Sequence, residues 1–358
     1  MLRWRSGTVV TVRRSWKGAV ELDVTVDRRN PEDPDLVRAL AYPAMVGDPV
    51  AGDRVLLNTN ALSLGLGTGG YAMVVALPDR LPPDSDAPGH VMKARYTPQQ
   101  VTVLAADEEA SPHRAVLLDA DDLGGMPVLV ADLHSALPAL LAGILADSPD
   151  ARVAYVMTDG GALPAWFSRN LDALSGLLAG VVTVGQSFGG DLEATNTHTG
   201  LLAARHALGA DVAIVTQGPG NLGTGTPWGF SGVSTGEAVN AAATLGGRPV
   251  GSVRLSTADE RPRHRGVSHH SLTAYGRVAL APADLVLPVG CAPAHLEQLA
   301  PLVARHRIVL VDPAGLDGAL RALPVKLSTM GRGLDAEHDY FLAAACAGRH
   351  AAALARPA

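Results

Sequence analysis

The sequence predicts an α/β protein: a parallel, Rossmann-like layered sheet with helices on both faces, preceded by a small all-β, barrel-like N-terminal domain. Three observations lead there. The first ~80 residues alternate apolar and polar positions between turn signals, as short antiparallel strands do. A proline-rich, acidic stretch with Pro82, Pro83 and Pro88 then marks a boundary. Beyond it, continuous apolar runs of strand length alternate with helical patterns, which implies crossover connections and a sheet covered on both faces.

In the first part, residues 8–12 and 19–26 read as strands around Lys17-Gly18, with further strands at 50–57 and 71–77. A glycine-rich loop, Leu64 to Gly70, lies between the last two. The expected division is a β-domain over 1–80, a linker over 81–110 and an α/β domain over 111–358. Strands in the last are expected at 115–118, 128–131, 153–157, 181–184, 212–216, 250–255, 285–289 and 308–311. Helices are expected at 136–145, 165–178, 193–208, 235–245, 294–305 and about 336–354.

The totals set limits. Hydrophobic residues make up 47% and charged residues 18% of the chain, enough for a sizeable core and too apolar for disorder. The net charge of -6 argues against a nucleic-acid partner. Arg3, Arg5, Arg13, Arg14 and Lys17 are read as the solvated face of a strand pair. The two cysteines, Cys291 and Cys346, sit in no metal or redox spacing, so a reducing, cytoplasmic compartment is expected. No run reaches membrane-spanning length, and no membrane partner is expected.

In an open parallel sheet, ligands bind at the carboxyl ends of the strands. Five consecutive strand ends carry glycine and polar groups. The first brings Asp132, His134 and Ser135, and the second Thr158, Asp159, Gly160 and Gly161. The third brings Gly189, Gly190, Asp191 and Glu193. The fourth is a loop with Gly218, Gly220, Gly223, Thr224, Gly225 and Thr226, whose glycines would let backbone N–H groups approach an anion. The fifth is the most concentrated chemistry in the chain. Arg261, Arg263 and Arg265 are interleaved with His264 and followed by His269 and His270. Arginine suits phosphate or carboxylate oxygens, and histidine moves protons near neutral pH. Adjacent histidines point apart on a regular element, so at most one of His269 and His270 is expected to act. No familiar metal spacing is present. Asp159 is read as holding a divalent cation or a ribose hydroxyl. Asp191 is read as capping a following helix or, with Asp159, holding the cation, and Glu193 as favouring that helix's dipole or binding the ligand.

A rival motif is Gly185-Gln186-Ser187-Phe188-Gly189, which fits the strand–turn–helix nucleophile elbow of α/β-hydrolases. Asp312 and His338 would then complete a triad. This reading leaves the 218–226 loop and the arginine–histidine segment without a role.

Several segments together carry a resemblance. They are Leu133-His134-Ser135, Met157-Thr158-Asp159-Gly160, Gly189 to Ala194, Gly218-Pro219-Gly220 with Gly223 to Thr226, Gly229-Phe230-Ser231-Gly232 and His264 to His270. The chain resembles, over nearly its whole length, a domain-of-unknown-function family of actinobacteria and firmicutes. The resemblance implies no activity and assigns no residue.

The leading expectation is an enzyme, of hydrolase or transferase type, acting on a small anionic molecule that is phosphorylated or nucleotide-like. In it the 218–226 loop cradles the anion with Arg263 and Arg265, and His264 or His269 is the general acid or base. A non-catalytic ligand sensor would use the same pocket, and a serine hydrolase would use Ser187. The metal, the substrate and homo-oligomerisation stay open.

Overall fold

A computed structural model describes residues 2–66 and 69–356. Gly67 and Thr68 of the expected loop lie outside the described residues. The chain divides into two compact units. The first comprises Met1–Pro88, Ala94–Thr102 and Trp166–Asp172, and the second Gly89–Lys93, Val103–Ala165 and Ala173–Ala358.

The first unit is built on a closed five-stranded barrel of β1 (Trp4–Trp16), β2 (Ala19–Val26), β3 (Leu36–Ala41), β4 (Arg54–Asn58) and β5 (Ala72–Ala76), in the order β1-β2-β3-β5-β4. β3 was not expected from the sequence. β1 is long enough to serve two neighbours: Trp4–Thr8 pair with β4, and Gly7–Trp16 pair with β2. Gly7 lies where the two pairings overlap, and a Cβ there would sit 2.5 Å from Thr25 O. The hairpin closes from Trp16 to Ala19 through Lys17 and Gly18, whose φ of 75° favours glycine. Closure removes the sheet edges, and inward positions such as Val9, Leu22, Val24, Ala39, Leu57 and Val74 fill the interior. The expected basic face needs one correction. Arg5 is buried, and its guanidinium grips Asp33 through two bonds of 2.6 and 2.7 Å.

The second unit holds an eight-stranded, all-parallel sheet. Its strands are β6 (Pro127–Val130), β7 (Val153–Thr158), β8 (Gly180–Thr183), β9 (Leu192–Glu193), β10 (Val212–Gln217), β11 (Arg248–Ser252), β12 (Asp284–Pro288) and β13 (Arg307–Val311). The spatial order is β9-β8-β7-β10-β6-β11-β12-β13. From β6 the chain first builds outward to β7, β8 and β9. It returns through β10 and then builds the other side with β11, β12 and β13. The order therefore reverses around β6, between β10 and β11, which is where open α/β sheets bind ligands.

Both faces of the sheet are covered. Val128 and Val130 join a core with Ala213, Val215 and Leu285 and with Ala238 and Val239 of the helix Ser234–Thr244. Leu129, pointing the other way, is fully buried too. The helices Leu137–Asp147 and His338–Ala355 pack at very close range. A Cβ on Gly143 would lie 1.9 Å from Ala345 O, and one on Gly348 would lie 2.0 Å from Leu140 O. Only glycine fits at those crossings. Among the described residues no helix is long and apolar enough to cross a membrane.

Three expectations are corrected. Residues 115–118 fall in a short helix, Arg114–Leu117, rather than a strand. The expected linker contains the strands Val91–Lys93 and Val101–Val103. The helix expected from 193 begins at Thr197, because Asn196 caps it: the side chain accepts from Thr199 N at 3.0 Å. Asp191 is therefore not its cap, and Glu193 lies in a strand.

Candidate functional site

Beyond β11 the chain runs through Leu255–Ser256, which pairs antiparallel with Gly266–Val267, and then enters the helix His269–Thr273. This small ribbon folds the segment 257–265 back over the sheet end. Ser268 caps the helix, its Oγ accepting from His270 N at 3.2 Å. The result brings three imidazoles together. The ring centroids of His264 and His269 are 4.9 Å apart, those of His264 and His270 4.8 Å, and those of His269 and His270 4.5 Å. One nitrogen from each ring lies within 4.8 Å of the others. The expectation that adjacent histidines diverge is thus overturned. Both rings, on the first two residues of the helix, lie beside His264, which reaches them from the segment before the ribbon's second strand.

A buried shell holds these rings. Phe230 stacks on His270 at 3.8 Å with planes 3° apart. His270 Nδ1 lies 3.3 Å from Asp132 Oδ2, just beyond the end of β6. His264 Nδ1 lies 2.8 Å from Ser268 Oγ. The buried Nε2 of His269 has no hydrogen-bond partner among the described residues. Arg254 is buried between Asp132, at 3.6 Å, and Asp259, at 3.8 Å. Asp259 also receives a bidentate grip from Arg261 at 2.9 and 2.7 Å, and Arg332 at 3.3 Å. Arg332 pairs in turn with Glu337, which accepts from Ser256 Oγ at 2.8 Å. The shell therefore balances three guanidinium groups against three carboxylates.

Burial sets the protonation of this group. It pushes His264 down to about 3, helped by Arg254 and Arg261. It pushes His269 down to about 4, helped by His270 and Arg263. Both rings are neutral at neutral pH. Burial acts to raise Asp132, but its bond to His270 and the charge of Arg254 outweigh that and hold it below the usual carboxylate range. Two further buried acceptors lie at neighbouring strand ends. Thr158 Oγ1 on β7 and Gln217 Oε1 on β10 have no partner among the described residues, and the two residues are in register. Gln217 Nε2 donates to Asp132 O at 2.7 Å, tying this pair to the histidine group.

The other expected residues fall elsewhere. Asp159 Oδ2 accepts from Gln186 N at 2.8 Å, whereas Asp191 Oδ2 accepts from Val181 N, near the start of β8. The expected cation pair is not assembled, because the two carboxylates serve amides at different levels of the strand. Glu193 is a buried ion-pair partner of Lys93 at 2.8 Å. Its other oxygen accepts from Gly189 N at 2.6 Å, and Gly190 N donates to Thr183 Oγ1. These glycines wrap a structural carboxylate and do not face the histidines. His134 belongs to an internal chain: Nδ1 lies 2.9 Å from Tyr155 Oη, which lies 2.8 Å from Thr216 Oγ1.

Ser187 is fully buried and donates to Met157 O and Val184 O. His338 pairs with Asp317 instead of a serine. The 218–226 loop is also not a nest opening onto a helix. From Leu222 to Trp228 it is exposed and closes on itself, Thr224 N donating to Gly229 O at 2.7 Å. It does lie beside Arg263: a Cβ on Gly225 would be 3.7 Å from that guanidinium. Arg263 and Arg265 are exposed at this edge. A groove of about 620 Å³ lies at the opposite, amino-terminal ends of β11, β12 and β13, lined by Arg248, Asp284, Arg305 and Arg307. Arg307 there is paired with Asp284, and Arg305 donates to Ala279 O.

Arg254 and Phe230 are the site residues that sequence reasoning passed over. The signal for Arg254 was a lone charge inside the apolar run 250–255. Phe230 stood in one of the segments that carry the resemblance, which assigns no residue a role.

Residues 38–348 match the model of a family described as a protein of unknown function, DUF3866, and the chain belongs to that family. No curated protein and no solved structure is significantly similar to it.

Proposed function

We propose that this DUF3866 member is an enzyme acting on a small anionic molecule, phosphorylated or nucleotide-like, bound at the carboxyl ends of β6, β10 and β11. The observation that carries this reading is the place of the histidine group: two rings buried, the third half-buried, at the point where the strand order reverses. The unpartnered Thr158 Oγ1, Gln217 Oε1 and His269 Nε2 support it, because buried polar atoms without internal partners are costly and mark places where something else binds. Exposed Arg263 and Arg265 would meet the anion's oxygens, and the histidine group would supply the chemistry.

Thermal unfolding against nucleotides, sugar phosphates and simple anions tests this. A ligand at a hundred times its Kd stabilises by about 2.7 kcal/mol, and Arg263→Ala should abolish the shift. Turnover is then sought with the same compound. Binding without turnover would point to a sensor. A panel that moves nothing would remove the anion reading.

A further inference from the structure

We infer that His264, His269 and His270 form a binding site for a divalent transition-metal ion of the zinc type. The binding itself does not depend on the substrate class proposed above; only a role for the ion in turnover rests on that reading.

Ligand type comes first. Three imidazoles suit zinc and its neighbours, whereas magnesium and calcium prefer oxygen. Three protein ligands with further positions open is the arrangement of a reactive rather than a closed structural site.

Geometry agrees. Two nitrogens on a tetrahedral ion, each at ~2.05 Å, stand about 3.3 Å apart. The three nitrogens here lie within 4.8 Å of one another, so the rings close by an ångström or so around an ion. The histidines stand on the first turn of the helix His269–Thr273 and on a short 3-10 segment, Pro262–His264.

The surroundings then explain features that otherwise have no purpose. Metal-bound histidines usually donate their second ring N–H to a carboxylate or other acceptor, which fixes the tautomer. His270 Nδ1 faces Asp132 Oδ2, and His264 Nδ1 faces Ser268 Oγ. Both contacts leave Nε2 free to ligate once Nδ1 carries the proton. His269 presents a buried Nε2 with no partner among the described residues, a costly arrangement that a metal bond would resolve. The charge is also accommodated. Asp132 and Asp259 flank Arg254, so two carboxylates face the fixed cation that lies 3.4 Å from His270 Nδ1. The exposed Arg263 and Arg265 lie at the neighbouring edge, where an anionic ligand of the ion would find its counter-charge.

The test uses full-length, tag-free protein stripped with a chelator, because twelve histidines in the chain make a tag or surface site an obvious confounder. Titration calorimetry with zinc should give one saturable equivalent per chain, and magnesium should give none at the same concentration. His269→Ala and His264→Ala should each lose the site. Asp132→Asn should keep the ligands but bind zinc about 10–100-fold more weakly. Unfolding of every variant without metal checks the fold. If a histidine variant does not fold, X-ray absorption of the zinc-loaded wild type counts its imidazole ligands, three being the expected number. Zinc that fails to saturate at one equivalent, fewer than three imidazoles, or binding unchanged in folded His264→Ala and His269→Ala would overturn the inference. A chain that binds zinc but no phosphorylated compound keeps this site and loses the substrate reading; the reverse result does the opposite.

Discussion

Two buried polar clusters sit at strand ends of the same sheet, and they differ in how completely they are satisfied. At β8 and β9, Lys93 is wholly buried and donates to Thr183 O, Ser187 O, Ala194 O and Glu193 Oε2 at 2.8–3.0 Å. Glu193 accepts from Lys93, Thr183 Oγ1 and Gly189 N. At β6, β10 and β11, His264 and His270 are also buried and His269 is half-buried, yet the buried atoms His269 Nε2, Thr158 Oγ1 and Gln217 Oε1 have no partner among the described residues. A closed network rigidifies a fold, whereas an open one awaits a ligand. Glycine and charge at a strand end are common to both clusters, so the completeness of hydrogen bonding is what distinguishes them.

The strongest way to break this comparison is at Lys93. Lys93→Ala leaves Glu193 buried without its cation, and such a loss costs about 3–5 kcal/mol. The expected result is a large drop in the urea midpoint with zinc binding kept by whatever remains folded. A loss below ~1 kcal/mol, as for a surface pair, would mean that the cluster is open after all.

A pH profile comes next. Burial pushes His134 down to about 4 from 6.5, so the folded state holds the ring neutral. The sign follows: the stability is fully present above 6.5 and is lost as pH falls through about 4, while the unfolded chain takes up the proton first. His134→Asn should flatten that part of the stability profile. An unchanged slope would show that His134 is not the group responsible.

A smaller effect is expected at Ser187. Ser187→Ala removes one hydroxyl that donates to two carbonyls, costing about 1 kcal/mol and leaving zinc and anion binding unchanged. Fluorophosphonate labelling of the wild type would instead return the nucleophile-elbow reading, and would require this buried hydroxyl to become exposed.

Much of the fold was legible because it rests on local pattern. Apolar runs mark β6 to β8, β10, β12 and β13 within a residue or two; all of these but the partly exposed edge strand β13 are buried on both faces, which leaves continuous runs. The short strand Leu192–Glu193 was read as helix because charge before an apolar stretch imitates an N-terminus; Asn196 made the true cap. The site was legible at the level of strand ends but not of partners. His264, His269 and His270 stood out by composition, yet their convergence depends on the ribbon between Leu255–Ser256 and Gly266–Val267, a pairing no spacing announces. Lys93 was hidden for the same reason: its four acceptors lie 90 residues or more away in the chain.

The finest form of the comparison contrasts two arginines two residues apart. Arg261 is committed to Asp259 through both a bidentate side-chain grip and its own backbone N–H, and this pair pushes Arg261 up and Asp259 well below the usual carboxylate range. Its guanidinium is nevertheless 42% exposed, so solvent screens the pair. Arg332 and Arg254 also stay beside Asp259 when Arg261 is lost. Arg261→Ala should therefore cost less than ~1 kcal/mol and leave ligand-induced shifts intact. Arg263 is exposed and stands against the turn at Gly225. Arg263→Ala should change stability by no more than ~0.5 kcal/mol and yet remove the shift produced by an anionic ligand. Paired melting curves with and without that ligand separate the two. If Arg261→Ala rather than Arg263→Ala removes the shift, the anion meets the buried Asp259 network, and the open edge of the site lies on the other side of the histidines.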